Sequence, residues 1–251
     1  MTLDVIGIVM LRVGSRTAES HVHRVMTFLV PRMSDSHVMV RQAVARLALR
    51  LMQATSPVIV IDIMSDSVQH KSPRVRQLAV DIVTAALLTH PSCEFDLPAL
   101  CAVVVPAVVD QKKGVRQAAM ECVSVIAQAL GAGNLWPLMS KIELVEARPR
   151  CEGLMAAVQA RLARRQLPSV SDGGLVEYAV SVSSAASRGS AAGVDVEWIK
   201  CGSYNGASPR SEPADTSAHS QSPLSRHQVG MSAKSLSKLP WEKEAYEVCS
   251  R

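Results

Sequence analysis

Apolar side chains recur along this chain with the spacing of one helix face, in three stretches that open on the same tripeptide. Val-Arg-Gln stands at residues 40–42, 75–77 and 115–117, and this spacing is typical of helical-hairpin repeats. In each stretch apolar residues follow at i+3, i+4, i+7 and i+11, which predicts one long amphipathic helix per repeat. The apolar positions are Val40, Ala43, Val44, Leu47 and Leu51, then Val75, Leu78, Ala79, Ile82 and Ala86, then Val115, Ala118, Ala119, Cys122 and Ile126.

A shorter apolar helix and a polar turn precede each of these long helices. Ser56 and Ser72 each stand before a proline, so we expect hydroxyl caps followed by a proline at the first helical position. Gly131 is expected to end the third long helix. The predicted shorter helices lie at about 18–30, 57–68 and 98–109, and the turns at 31–37, 69–74 and 110–114.

The repeat pattern weakens toward both ends of the chain. A fourth helical pair is predicted at about 135–145 and 151–165, with a basic turn at 146–150. The first stretch is predicted to form a single helix, the second half of a preceding repeat. The predicted organisation is a preceding-repeat remnant at 1–16, an all-α solenoid domain at 17–182 and a disordered tail at 183–251.

The tail differs from the domain in composition. Residues 183–238 are rich in Ser, Gly and Ala with scattered Pro, and they cannot bury enough apolar surface to offset chain entropy. Just before them, residues 170–182 are expected to form a short ordered closing segment around Tyr178. The later motif Leu239-Pro240-Trp241-Glu242 is either a short docking motif or has no function, and the sequence leaves both open.

Composition and charge narrow the class of protein. Aromatic residues make up 3% of the chain, and a core of small aliphatic side chains suits close helix packing. Lys and Arg number 27 against 22 Asp and Glu, and the excess lies before Pro168, which indicates either an acidic partner or ordinary solubility charge.

No two of the six cysteines form a C-x-x-C pair, which favours free thiols in a reducing compartment. The start lacks the features of a signal peptide, and the longest apolar run, Pro98 to Val109, is shorter than the ~20 residues of a membrane span. We therefore expect a cytoplasmic protein without membrane insertion.

No residue pattern points to catalysis. His21 and His23 lie on opposite sides of a helix and cannot share a metal ion, and the other histidines have no Cys or carboxylate at ligand spacing. The chain has no P-loop, no G-x-S-x-G and no H-E-x-x-H, the motifs of common nucleotide-binding and hydrolytic sites. We therefore predict no cofactor, no metal and no small-molecule substrate, and rank an enzyme last among the possible functions.

The turns between paired helices carry the candidate binding residues. Stacked repeats place equivalent turns in a row along one edge, and three consecutive turns of this chain are basic. Polar turns are common in any protein, but carboxylates are sparse in these, which favours a binding edge. The candidate residues are Lys71, Arg74, Lys112, Lys113, Arg148 and Arg150.

The arginines of the recurring tripeptide receive a different interpretation. Arg41, Arg76 and Arg116 each stand at the start of a long helix. An arginine at such a position in stacked repeats is expected to reach an acidic group of the next repeat. We therefore predict a structural role for these three residues and leave them out of the binding site. The carboxylates of Glu143 and Glu146 are expected to be solvated.

Several of these segments resemble a known family. The stretch from Asp110 to Ala119 resembles the HEAT repeats of TOG domains, which bind tubulin. The stretch from Met155 to Arg165 is similar to one subfamily, the TOG array regulators of axonemal microtubules, also called crescerins. The remaining similar segments are Leu167-Pro168, residues 176–179 and the tail motif at 239–242.

The resemblance implies a TOG-like domain of six HEAT repeats whose turns face a tubulin dimer. It implies tubulin dimers or microtubules as partners, and a role in microtubule polymerisation or stability in the cytoskeleton of the cilium and its axoneme. Matched from the end of the domain, the turns of this chain would be the third to the sixth. The first two turns usually supply a Trp and a basic residue that grip β-tubulin, and no Trp precedes Trp136. We therefore expect weak tubulin binding by this chain alone.

A second function remains open beside tubulin binding. A generic HEAT-repeat scaffold would bind another protein through the concave face of its long helices and not through its turns. Nucleic acid is not an expected partner of either. The two hypotheses place the binding surface differently, on an edge or on a face, and the structure can distinguish these surfaces.

Overall fold

The computed structural model describes residues 2–13, 15–182 and 193–202 of the chain. Within these ranges the chain forms ten helices and one short antiparallel hairpin, in which Val170 pairs with Val176. In chain order the elements are α1 Thr2–Arg12, α2 Ser15–Leu29, α3 Val38–Ala54, α4 Pro57–Ser67, α5 Pro73–Thr89, α6 Leu97–Val104, α7 Lys113–Leu130, α8 Trp136–Glu146, α9 Leu154–Ala163, β1 Ser169–Val170, β2 Val176–Glu177 and α10 Val194–Cys201.

Helices α2 to α9 form four consecutive pairs that stack into a solenoid. The second helices of the pairs pack in the order α3, α5, α7 and α9, while α2 packs on α4 and α6 on α8. Helix α1 packs on α3 as α3 packs on α5, which is the place of the second helix of a preceding pair. The all-α solenoid predicted from the repeating pattern is confirmed.

Prolines decide how several helices begin and end. Helices α2 and α6 each run into a short 3₁₀ turn that contains Pro31 or Pro106, because proline has no amide to continue the α-helical bonding. Pro57 and Pro73 begin α4 and α5 as predicted. The expectation of hydroxyl caps is wrong, because the side chains of the preceding serines make no capping hydrogen bond.

The long helices bury the face that their apolar spacing predicts. Every predicted apolar position of α5 and α7 is buried. In α3 the predicted positions from Val44 onward are buried, whereas Val40 and Ala43 are half-buried. Helix α7 is buried on nearly all sides because it lies between α5, α9 and α10, and Gly131, with a φ of 75°, ends it as predicted.

The closing segment, residues 169–182, folds back over the second helices. Its hairpin reaches α3, where Arg46 Nε donates to the Gly173 carbonyl at 3.4 Å. A Cβ on Gly174 would lie 3.2 Å from the Arg46 Cα, so glycine allows the tip of the hairpin to sit against the backbone of α3. The segment then returns over α5 and α7. The structure thus shows an ordered closing segment where the sequence predicted one.

Helix α10 lies in the tail that was predicted to be disordered, so this part of the prediction is wrong. Residues 194–201 were expected to be disordered, but they form a helix whose Trp198 is fully buried. The indole Nε1 donates to the Val108 carbonyl at 3.1 Å. The eight-residue helix is too short to show a repeating apolar pattern, and its burial depends on residues far away in the sequence. The rest of the predicted tail, including the Leu239–Glu242 motif, lies outside the described residues.

The burial of the long helices leads to a first prediction. Leu47 and Ile82 are each 1% exposed, so Leu47→Ala and Ile82→Ala should each lower the free energy of unfolding by about 2–5 kcal/mol through lost contacts and a residual cavity. Denaturant unfolding followed by circular dichroism measures this change. Leu144, which is 63% exposed, supplies the control, since Leu144→Ala should have little effect. Equal stability of the core variants and wild type would contradict the packing described.

Candidate functional site

The recurring arginines fix the turns at one edge of the solenoid. Each of them donates from one guanidinium nitrogen to two carbonyls of its own turn, five and six residues earlier in the chain. This bond pattern is the same in three successive repeats, so it gives three turns the same anchoring to their long helix. The donor and acceptor sets are Arg41 with Asp35 and Ser36, Arg76 with His70 and Lys71, and Arg116 with Asp110 and Gln111.

The second and third turns are also joined to each other. Arg76 forms a bidentate ion pair with Asp110 of the next turn, with Nε–Oδ2 at 2.7 Å and NH2–Oδ1 at 3.0 Å. This pair is the contact with an acidic group of the next repeat that the sequence predicted. A planar guanidinium paired in this way with a carboxylate fixes relative orientation as well as distance. The spacing of the two turns is therefore set by a defined contact.

The Nε and NH2 nitrogens of Arg116 bind backbone carbonyls of α10, whereas those of Arg76 bind a carboxylate. Arg116 Nε and NH2 donate to the Ile199 carbonyl at 3.1 and 2.7 Å, and NH2 also donates to the Lys200 carbonyl at 2.7 Å. Burial lowers the pKa of the Arg116 guanidinium, while the Asp110 carboxylate acts in the opposite direction. For Arg116 the partner is therefore the carboxyl end of α10 and not an acidic residue.

The predicted binding residues of the second and third turns are not equivalent. Lys71, Arg74 and Lys112 are exposed. Arg74 reaches the carbonyl of Ser34 in the preceding turn, at 3.3 Å, which shows that neighbouring turns lie close together. Lys113 is half-buried, and its Nζ donates to the Val182 carbonyl of the closing segment at 2.9 Å. The two adjacent lysines therefore differ: Lys112 is exposed, and Lys113 holds the closing segment.

The fourth turn presents two further cations. Arg148 and Arg150 are exposed, and Arg150 adopts a left-handed conformation with a φ of 68°. The expectation that Glu146 is merely solvated is wrong. One oxygen of its carboxylate accepts from the amides of Gly153 at 2.8 Å and Met155 at 3.2 Å, which places a negative charge at the amino end of α9 and stabilises the turn.

Carboxylates in the turns are occupied by internal contacts, whereas most of the cations are exposed. Asp110, whose side chain is 12% exposed, accepts from Arg76 and from the amide of Lys112. Asp35 accepts from the amide of His37 at 2.8 Å, and the hydrogen bonds from His37 lower the pKa of the Asp35 carboxyl. All the candidate cations except Lys113 thus stay exposed beside carboxylates that are held in internal contacts.

The face of the second helices is covered by the closing segment. The glutamines of two tripeptides hold it: Gln77 Nε2 donates to the Tyr178 hydroxyl at 3.1 Å, and Gln117 Nε2 donates to the Val180 carbonyl at 2.9 Å. Sequence reasoning recognised the tripeptide but missed these roles, although a polar residue recurring beside the apolar face was a visible signal. A partner that used this face of α3, α5 and α7 would have to displace the segment.

A half-buried acid, Asp81, lies against Tyr178. The Tyr178 hydroxyl donates to Asp81 Oδ1 at 2.9 Å. Burial raises the pKa of Asp81 to about 7, the Tyr178 hydrogen bond lowers it, and the charge of nearby Glu121 raises it further. Burial in a low-dielectric environment disfavours the charged carboxylate. Ionisation of Asp81 therefore opposes folding.

Within residues 2–13, 15–182 and 193–202, no group of three or more His, Cys, Asp or Glu side chains is arranged to hold a metal ion. In the same ranges no helix combines the length and apolar character that a membrane crossing needs. The turns thus remain the principal candidate site of the described part.

Stacked helical pairs with cationic turns along one edge define a HEAT-repeat domain of the TOG type. A solved structure described as "Crescerin uses a TOG domain array to regulate microtubules in the primary cilium" is similar to this chain, with a TM-score of 0.66 and 37% identity over 72% of each chain. The chain belongs to this family, the TOG array regulators of axonemal microtubules or crescerins. The sequence matches no family model.

Longer relatives show the same relationship. Over 97% of its own length, the chain is 35% identical to TOG array regulator of axonemal microtubules protein 1 of Mus musculus. The identity to the Homo sapiens protein of the same name is also 35% over 97% of the chain. It is 31% identical to Crescerin-like protein che-12 of Caenorhabditis elegans over 64% of its length. The chain spans only 14% and 15% of the mouse and human relatives and 12% of the nematode one. Their names describe microtubule regulators, in agreement with the expectation of a binding module and not an enzyme.

The pKa of Asp81, the acid bonded to Tyr178, leads to a second prediction. Unfolded Asp81 loses its proton near pH 4, whereas folded Asp81 keeps it until about pH 7. The folded state binds more protons between these values, so stability should fall as pH rises from about 4 to 7 and then level off. Asp81→Asn retains an acceptor for Tyr178 and should remove this fall, which melting temperatures from pH 5 to 8 would measure. The exposed Asp62 supplies the control Asp62→Asn, and a pH profile of Asp81→Asn parallel to that of wild type would contradict the prediction.

Proposed function

We propose that this chain is a tubulin- or microtubule-binding module that helps regulate microtubule polymerisation or stability in the ciliary axoneme. The observation that carries the proposal is the row of anchored turns with exposed cations at one edge. Lys71, Arg74 and Lys112 belong to two turns whose separation is fixed by the Arg76–Asp110 pair. Arg148 and Arg150 add the exposed cations of the fourth turn.

Electrostatics supports an acidic partner for this edge. The carboxylates within the turns, Asp35, Asp110 and Glu146, accept internal hydrogen bonds, so the exposed lysines and arginines can act on a partner. Complementary charge accelerates encounter and fixes orientation more than it increases affinity. Because each exposed ion pair contributes only about 0–1 kcal/mol, binding must draw on several turns together. A rigid row of turns is suited to that requirement.

The family supports the identity and location of the partner. The mouse and human relatives are named for axonemal microtubules, and the similar solved structure is described by its action on microtubules in the primary cilium. By this relationship we place the chain on the cytoskeleton, in the cilium and its axoneme. The scaffold alternative has less support, because the closing segment covers the face that it would use.

The edge is tested by charge reversal. We predict that Lys71→Glu combined with Lys112→Glu lowers the affinity for microtubules by roughly tenfold, since two favourable contacts of up to about 1 kcal/mol become unfavourable. Co-pelleting with microtubules measures the change, and wild-type binding should also weaken between low and physiological salt because these charges are exposed. Lys113 is left unchanged because it holds the closing segment.

A matched variant separates the edge from net charge. Arg24 is exposed in the middle of α2, away from the turns, so Arg24→Glu should leave microtubule binding close to wild type. All variants should retain the wild-type melting curve. If the Lys71→Glu, Lys112→Glu variant binds as well as wild type, the edge is not the binding surface. If Arg24→Glu lowers microtubule affinity as much as that variant does, the loss comes from the overall charge of the chain.

A further inference from the structure

Helix α10 is fixed to the solenoid along its whole length. At its start, Asp195 pairs with Arg164 at the end of α9, with Oδ1–NH2 at 2.8 Å. In its middle, Trp198 is fully buried and hydrogen-bonded to Val108. At its end, Arg116 donates to the Ile199 and Lys200 carbonyls. These contacts hold α10 against α7 and α9 as part of the domain.

The contacts of Arg116 place the end of α10 beside the third turn. The guanidinium that donates to Asp110 and Gln111 in that turn also donates to Lys200 of α10. The guanidinium of Arg116 therefore bridges the Lys200 carbonyl and the turn that carries Lys112. In the preceding repeat, Arg76 makes the corresponding outward contact to Asp110 of the next turn. The Arg116 guanidinium thus links the third turn to the end of α10, as the Arg76 guanidinium links the second turn to the third.

As in the turns, the acidic side chains of α10 make contacts within the domain, whereas its lysine is exposed. Asp195 is buried against Arg164, and Glu197 accepts from the Cys201 thiol at 3.2 Å. The last carbonyls of a helix carry partial negative charge, but here Arg116 binds two of them. Lys200 is exposed. The outer end of α10 therefore presents a cation.

We propose that α10 extends the tubulin-binding edge and that Lys200 is a further contact to the acidic surface of the tubulin partner. This inference rests on the proposed function, and it deepens it by adding an element from outside the helical pairs. Trp198 acts only by docking α10, and Arg116 acts by orienting its last turn toward the row of turns. The edge thereby gains a cation beside its third turn.

The test compares charge reversal at three places in the full chain. Lys200→Glu should lower microtubule affinity in co-pelleting by about three- to tenfold, as for one exposed ion pair reversed, with an unchanged melting curve. Lys112→Glu serves as the reference for the proposed function, and Arg24→Glu as the control for net charge. If Lys112→Glu weakens binding while Lys200→Glu does not, the inference fails and the proposed function stands. If the Lys71→Glu, Lys112→Glu variant also leaves binding unchanged, the proposed function fails.

A second variant separates docking from charge. Trp198→Ala should release α10, and it should weaken microtubule binding about as much as Lys200→Glu does. Adding Lys200→Glu to Trp198→Ala should then cost less than twofold, because the cation is no longer held at the edge. If Lys200→Glu lowers microtubule affinity as much in the Trp198→Ala background as in wild type, the docking argument is wrong. If Trp198→Ala does not fold, Asp195→Asn weakens the same attachment more mildly and replaces it in the comparison.

Discussion

The arrangement of the domain depends on one buried carboxylate. Glu121 of α7 accepts the Val180 amide of the closing segment through Oε1, and its Oε2 pairs with Arg161 of α9. Both charged side chains are 1% exposed, and removing one member of a buried pair typically costs about 3–5 kcal/mol. Nε and NH1 of Arg161 have no hydrogen-bond partner within the described residues, so Glu121 is the group that compensates its charge. Helix α7, helix α9 and the closing segment therefore form together.

This buried pair determines what the edge can present. Helix α9 carries Arg164, which holds Asp195 at the start of α10, and α10 in turn supplies the outer partner of Arg116. The acidic groups of this part of the molecule thus serve to join elements. The exposed cations are left as the remaining charge. The excess of basic residues in the turns and the internal contacts of their carboxylates therefore act together to leave cations exposed.

The solenoid could be predicted from sequence because its pattern is local. A helix face is defined by residues at most eleven positions apart, and the tripeptide repeats it three times. Helix α10 could not be predicted in the same way, since a Ser- and Gly-rich context indicates disorder and the partner of Trp198 lies 90 residues earlier. The different roles of Lys112 and Lys113 were equally hidden. Adjacent lysines look alike in sequence, and only the distant Val182 carbonyl distinguishes them.

The closing segment decides which surface remains for a partner, and it does so in a way that couples face and edge. Side chains of the long helices hold it, since Gln77 and Gln117 act as donors from two successive repeats. Its last described contact is with Lys113, the first residue of α7 and the neighbour of the exposed Lys112. The segment that covers the second helices therefore also restrains the third turn. Covering the face and ordering the third turn are, in physical terms, consequences of the same set of hydrogen bonds.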